Sequence, residues 1–163
     1  MLTRIILSNF KSFKNRTEVD FRKTNYTILP QNVADNDVLK GAVFVGANAS
    51  GKSNLILAIR LLLDFLFKER SIDSGLFRCL FGDRYSFSIE YSFFIEDCDV
   101  DYSFEIDTKK KFISEKLFCN NKIMLERIGD SAKSYIADAK GIAYDRQAVS
   151  YTHLRAHETV LDL

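Results

Sequence analysis

The stretch GANASGKS, Gly46 to Ser53, holds the residue types that bind phosphate. Its spacing matches GxxxxGK[ST], a pattern that needs a buried strand before it and a helix after it. Its two glycines let the backbone come close to a ligand, and amides at a helix start bind anions. Lys52 supplies an ammonium for β- and γ-phosphate oxygens, and Ser53 a hydroxyl for Mg²⁺, which prefers oxygen ligands. These features predict a nucleotide-binding P-loop.

The predicted cofactor site is the whole loop together with the residue that follows it. We expect the backbone amides from about Asn48 to Ser53 to converge on the β-phosphate as an anion-binding nest. The alternative is a glycine-rich β-to-α turn with an incidental lysine. The predicted cofactor-binding residues are Gly46, Ala47, Asn48, Ala49, Ser50, Gly51, Lys52, Ser53 and Asn54, with Ser53 as the metal ligand.

The segments on both sides of the loop have the patterns that would position it. GAVFVG, residues 41–46, is a compact apolar run of the kind found in strands buried on both faces. SNLILAIRLLLDFLFKER, residues 53–70, has apolar residues on most sides and predicts a largely buried helix. After Arg84 the apolar period is two, in YSFSIEYSFFIE, VDYSFEID, KFISEKLFC and KIMLERIG, which predicts an antiparallel meander.

The N-terminal segment contributes two further strand-like runs. RIILSNF and RTEVDF predict an antiparallel pair, and residues 25–40, which hold the only proline, predict a connecting loop. The order of elements fits an α/β nucleotide-binding lobe that carries an antiparallel subdomain.

Composition limits the function classes. A chain of 163 residues, 47% hydrophobic, suffices for one domain or part of one. The net charge of +1 gives no overall electrostatic case for binding nucleic acid or an anionic membrane. The longest apolar run is interrupted by Arg60 and Asp64, so no membrane span is predicted. Cys79, Cys98 and Cys119 are widely spaced, which favours free thiols in a reducing cytoplasm.

SNFKSF near the start, followed by GANASGKSN, resembles the N-terminal half of ABC-type ATPase heads of the SMC and RecF-like group. Similarity is greatest to bacterial AAA family ATP-binding proteins related to the overcoming-lysogenisation-defect (OLD) nucleases. Their β-meander is similar to YSFEIDTKKKFISEKLFCNNKIMLER, so the resemblance covers roughly residues 1–136. It implies an α/β fold, a partial ABC-type P-loop NTPase lobe over residues 1–147, with the P-loop at 46–53 and the meander at about 85–137.

The resemblance also implies a function for an intact parent protein. Two heads would sandwich ATP and Mg²⁺, forming a homodimer that hydrolyses ATP and controls an effector, such as a nuclease, on DNA or in phage defence. Lys11 and Arg16 are carried over as nucleotide contacts from the N-terminal strands, with a solvated turn as the alternative for both. The competing interpretations are a non-hydrolysing or unstable gene fragment and a P-loop NTPase of another class, such as a transporter ATPase.

The sequence departs from a complete head in its hydrolytic motifs. No glutamine lies between Asn54 and Arg146 to serve as a Q-loop, and no signature motif or Walker B pair has the right form. FFIED, residues 93–97, comes closest; its two acids are either Mg²⁺ and general-base carboxylates or the end of a hairpin. Enzymatic activity of this chain is therefore left open, although its parent is expected to be an ATPase.

The C-terminal stretch has a different character. VSYTHLRAHET, residues 149–159, can be back-translated into a sequence that resembles a transposon-end sequencing adapter. We therefore expect a truncation near Gln147 and a non-native read-through tail at 148–163. His153 and His157, one helical turn apart beside Glu158, have a spacing that suits zinc on a helix. The adapter-like origin argues against such a metal site.

A tail that was never selected to pack leads to a first prediction. Deleting residues 148–163 is expected to change the melting temperature and the nucleotide affinity by no more than experimental error. Thermal unfolding and a binding titration of the two lengths check this. A stability loss above about 1 kcal/mol, the size expected when specific packing is lost, would show that the tail is integrated.

Overall fold

A seven-stranded antiparallel sheet dominates the fold in the computed structural model, which describes residues 1–25, 29–67, 76–110 and 112–135. The strand order is β2-β1-β3-β4-β5-β6-β7. The strands are β1 Leu2–Ser8, β2 Thr17–Asp20, β3 Ser86–Ile95, β4 Cys98–Asp107, β5 Phe112–Cys119, β6 Lys122–Ile128 and β7 Ser131–Ser134. An α-helix, α1 Lys52–Phe67, and a short 3-10 turn, Pro30–Asn32, join the N-terminal hairpin to the rest.

The predicted meander is present as strands β3 to β6. In β3, Phe87, Ile89 and Tyr91 are buried on one face and alternate with more exposed residues, as the period of two requires. The β3–β4 turn has positive φ at both Glu96 and Asp97, the geometry of a tight two-residue hairpin. A further strand, β7, was not predicted, because its sequence SAKS is short and polar.

The predicted N-terminal strand pair is confirmed, and β1 also pairs with a strand of the meander, which was not predicted. It pairs with β2 on one edge, with Ile5 opposite Val19. Its other edge pairs with β3, with Ile5 opposite Tyr91. The hairpin and the meander therefore form one continuous sheet rather than two separate units.

Helix α1 packs against one face of this sheet and forms the hydrophobic core with it. Inside that core the Tyr91 hydroxyl donates a 2.7 Å hydrogen bond to the Ala58 carbonyl oxygen in the middle of α1. The buried core residues are Ile5, Leu7, Phe10, Leu55, Ala58, Leu61, Leu62, Phe87, Ile89, Tyr91, Phe104, Ile106 and Ile113. Within the described residues, no helix is long and apolar enough to cross a membrane.

The prediction that α1 is buried on most sides is wrong for the described residues. Its buried positions, Leu55, Ala58, Leu61 and Leu62, recur at three- and four-residue intervals and mark one face. Three further apolar side chains, Leu57, Ile59 and Phe65, are half-buried against the core. The others are half or more exposed: Ile56 54%, Leu63 50%, Leu66 58% and Phe67 77%. The reason is that the sheet covers only one side of the helix.

The prediction of a strand buried on both faces before the loop is also wrong for the described residues. Residues 41–46 belong to no strand, and Val43 and Val45 are 88% and 86% exposed. Phe44 alone turns inward and meets the edge of the Phe21 ring, with 6.3 Å between ring centroids. The apolar β-branched composition was read correctly, but no described strand lies beside this segment to cover it.

The Tyr91 hydrogen bond gives a second prediction. Tyr91→Phe keeps the ring but leaves the buried Ala58 carbonyl without this donor, so the free energy of unfolding should fall by about 1 kcal/mol in urea titrations. Tyr85→Phe, at a ring that is 50% exposed, is the matched control and should change little. Equal stability of the wild type and Tyr91→Phe would contradict the role given to this bond.

The same side chain sets a pH dependence. Burial raises the pKa of Tyr91 well above its usual value near 10, so the folded protein keeps this phenol protonated in alkaline solution. The unfolded chain releases the proton above about pH 10, so stability should fall as the pH rises past that point. Tyr91→Phe should lose less stability there than the wild type.

Candidate functional site

The glycine-rich loop leads directly into α1. The Gly51 carbonyl oxygen accepts the Leu55 amide at 3.0 Å, which is the first hydrogen bond of the helix. Ala49 and Gly51 have φ values of 63° and 97°, in the left-handed region where glycine is the least strained residue. Residues 45–50 are exposed, so the loop presents its backbone to solvent at the helix N-terminus.

The Lys52 side chain folds back across this loop. Its ammonium donates to the carbonyl oxygens of Gly46 at 2.8 Å and of Ala47 at 2.7 Å, and it lies 3.3 Å from the Ser50 hydroxyl. These bonds join the beginning of the loop to its end, because Lys52 is the first residue of α1. Lys52 therefore closes the loop into a ring of backbone with a positive charge at its rim.

The first turn of α1 is electrostatically suited to an anion. It contains no acidic residue, so the partial positive charge of the helix N-terminus is not neutralised by a neighbouring carboxylate. Ser53 lies in this turn and is exposed, which leaves its hydroxyl accessible from solvent. A hydroxyl oxygen is a ligand type that Mg²⁺ accepts together with phosphate and water oxygens.

The loop end is packed from outside by the turn of the β1–β2 hairpin. Gly51 is buried, and a Cβ at this position would lie 3.0 Å from the Ser12 hydroxyl and 3.2 Å from the Phe13 ring. Glycine is therefore required at 51 for two reasons, its positive φ and the space taken by Ser12 and Phe13. The contact of Gly51 with Ser12 and Phe13 was not predicted from the sequence.

Asn54, assigned above to the cofactor-binding set, has a defined partner within the protein. Its side-chain amide donates to the Ser12 hydroxyl at 2.9 Å. The structure thus brings Ser12 and Phe13 to the site as residues that were not predicted. Both belong to the quoted SNFKSF motif, which was the only signal in the sequence that could have pointed to them.

The two basic residues carried over from the resemblance have partners of their own. The Lys11 ammonium lies 5.6 Å from the centre of the Phe77 ring. Arg16 forms an ion pair with Glu18 at 3.3 Å. Nothing in this arrangement tests their contact with nucleotide, so both stay predictions.

The acidic pair of FFIED lies at the far end of the sheet from the loop. Glu96 and Asp97 follow the end of β3, which pairs with the beginning of β1. The opposite end of β1 leads into the turn that contacts Gly51. The seven residues of β1 between these ends span roughly 20 Å, so the acids form a hairpin turn and not the carboxylates of this site.

The described residues hold no further candidate metal centre. His153, His157 and Glu158, together with the whole predicted tail at 148–163, lie outside the described residues. The described part of the chain holds no group of three or more side chains that could hold a metal ion. Its three cysteines are free thiols, with Cys79 buried and Cys98 and Cys119 half-buried.

Comparison with known proteins adds one finding. A model of the AAA ATPase domain family matches residues 1–155, which includes the loop, α1 and the entire described sheet. The match runs past the predicted boundary at residue 147. No curated protein matches the chain. Because the family model spans most of the sequence, the chain belongs to the AAA ATPase domain family, a family of nucleotide-binding ATPases.

Proposed function

We propose that the chain binds ATP together with Mg²⁺ through residues 46–53, as the N-terminal part of an SMC/RecF/OLD-like ATPase head. The observation that carries the proposal is the Lys52 ammonium held by the carbonyl oxygens of Gly46 and Ala47. Together with the contact to the Ser50 hydroxyl at 3.3 Å, these bonds occupy the three ammonium protons and give the loop a closed shape before any ligand arrives. A preformed loop lowers the entropic cost of ordering amides around a phosphate.

The groups divide the work of binding according to their chemistry. Backbone amides from Asn48 to Ser53 donate to β-phosphate oxygens, with the partial charge of the α1 N-terminus behind them. The Lys52 ammonium donates to β- and γ-phosphate oxygens while it keeps part of its bonding to the loop. The Ser53 hydroxyl holds Mg²⁺, which when bound neutralises phosphate charge.

In the intact parent, the same loop serves an enzyme made of two heads. ATP is sandwiched between this loop on one head and a signature motif on the other, and closure controls an effector, such as a nuclease, on DNA or in phage defence. This step rests on the resemblance of SNFKSF and GANASGKSN to such heads and on the family match. Glu96 and Asp97 lie in a remote turn, so hydrolysis requires carboxylates other than this pair.

Removing the two ligand groups should give separable defects. Lys52→Ala should weaken binding of both ADP and ATP by about tenfold to a hundredfold, because charge-assisted hydrogen bonds to phosphate are lost. Ser53→Ala should weaken binding in Mg²⁺ but bind nucleotide in EDTA as the wild type does, because only the metal ligand is removed. Isothermal titration calorimetry with and without Mg²⁺ measures both effects.

The matched control is Lys40→Ala. The Lys40 ammonium also donates to a backbone carbonyl, that of Gln31 at 3.1 Å, but it lies outside the loop. This variant should bind nucleotide like the wild type. Identical affinities of Lys52→Ala, Lys40→Ala and the wild type would refute nucleotide binding at this loop.

The two-head mechanism makes a separate prediction for the full-length parent. A variant whose Walker B acid is neutralised should accumulate an ATP-bound dimer, because closure occurs and hydrolysis does not. Adding Lys52→Ala should abolish that dimer. Size-exclusion chromatography with ATP and Mg²⁺ measures it, and dimerisation indifferent to ATP, Mg²⁺ and Lys52 would count against the sandwich and leave a P-loop NTPase of another type.

A further inference from the structure

The hairpin turn that covers Gly51 is itself held rigidly by the core. Phe10 and Phe13 exchange backbone hydrogen bonds of 3.0 and 2.8 Å across the turn. The amide of Lys11, between them, donates to the Phe77 carbonyl oxygen at 2.8 Å. The Phe10 side chain is fully buried in the core cluster. Ser12 and Phe13 therefore lie in a turn whose backbone is fixed by the core, and we call this turn, residues 10–13, the platform.

Two contacts connect this platform to the phosphate loop. The Ser12 hydroxyl accepts the Asn54 side-chain amide at 2.9 Å, over a separation of 42 residues. The Phe13 ring and the Ser12 hydroxyl also occupy the space beside Gly51. The hydrogen bond to Asn54 holds the first turn of α1. The packing against Gly51 restricts the backbone at the point where the loop joins α1.

We propose that Ser12 and Asn54 form a positioning pair that holds the loop in its phosphate-binding shape, and that the Asn54 amide acts through Ser12 rather than on the nucleotide. Asn54 is half-buried and its amide nitrogen is committed to the hairpin. Lys52 closes the loop through bonds to the loop's own carbonyl oxygens, and the Ser12–Asn54 bond ties the same end of the loop to the hairpin. This inference rests on the proposed nucleotide-binding function and adds residues that act on loop geometry.

The pair matters because, apart from the Lys52 bonds, the described residues place no strand beside the loop. Residues 45–50 are exposed, and the segment before them, residues 41–46, lies in no strand. Helix α1 is fixed by the core, and Gly51 is the loop residue that the hairpin turn contacts. The hairpin can therefore restrict the loop backbone at Gly51. Loss of the bond should release loop backbone without disturbing the core.

The test compares Ser12→Ala and Asn54→Ala with the wild type in titrations with ADP and Mg²⁺. Each variant should bind about three- to tenfold more weakly, because about one hydrogen bond no longer holds the loop in its binding shape, and the melting temperature should fall by no more than about 4 °C. Ser12→Thr, which keeps the hydroxyl, should bind ADP with the affinity of the wild type. The double variant Ser12→Ala/Asn54→Ala should be no weaker than either single variant, because both break the same bond.

Thr17→Val is the matched control. It removes another hydroxyl bond of the same hairpin, from Thr17 to the Asn15 carbonyl at 3.2 Å, and should leave affinity unchanged. A second readout needs no nucleotide: backbone order parameters of residues 48–53 from ¹⁵N relaxation should fall in Ser12→Ala and Asn54→Ala but not in Thr17→Val.

The outcomes separate this inference from the proposed function. Wild-type binding that is lost in Lys52→Ala but unchanged in Ser12→Ala and Asn54→Ala overturns the positioning pair and leaves the function standing. Unchanged order parameters overturn the pair whether or not nucleotide binds. Additive losses in the double variant would mean that Asn54 contacts the nucleotide independently, which also contradicts the proposal.

Discussion

The packing of α1 on the antiparallel sheet is the constraint on which the rest of the site depends. No strand among the described residues lies beside the loop that precedes α1, so the helix N-terminus sets the position of this loop relative to the sheet. The Tyr91 hydroxyl on the Ala58 carbonyl oxygen opposes sliding of the helix along the sheet, since a shift would break a buried hydrogen bond. Apolar contacts of the buried α1 face with β1, β3 and β4 then fix its distance from the sheet.

With the helix fixed, short-range interactions shape the loop. Lys52 ties its beginning to its end, and Gly51 allows the backbone to turn through a positive φ beneath Phe13. The Lys52 ammonium and the exposed loop backbone therefore lie at a helix N-terminus whose first turn carries no acid. That combination suits a polyanion such as a nucleotide tail, because the full charge of Lys52 and the partial charge of the helix N-terminus have the same sign.

Local sequence patterns predicted most of the secondary structure correctly. The period of two in the segments after Arg84 and the pair RIILSNF and RTEVDF gave the strands, and GANASGKS gave the loop before the helix, because these signals depend on neighbours within a few residues. Predictions that depended on distant partners were less successful. The apolar run at Val43 to Val45 indicated burial, but no periodicity can tell whether a covering strand lies beside it. The one-sided burial of α1 has the same origin.

The Ser12–Asn54 contact could not have been predicted from spacing at all. It joins residues 42 positions apart, and small polar side chains in a turn carry no periodic signal. The joining of hairpin and meander through β1 is a similar case, since strand patterns do not specify which edges meet. The sequence thus predicted the strands and the helix that follows the loop, whereas the tertiary contacts that hold the loop in place depend on the fold. The phosphate chemistry of the loop stays a prediction.

The central claim, that residues 46–53 bind the phosphates of a nucleotide, is tested most directly by titrating ¹⁵N-labelled protein with ADP and Mg²⁺ and following every backbone amide by NMR. The account predicts that the largest shifts fall on the amides of Asn48 to Ser53, with smaller changes at Ser12 and Phe13 and none in the β3–β4 turn. Saturable shifts confined to another surface, with the loop amides unmoved, would contradict it.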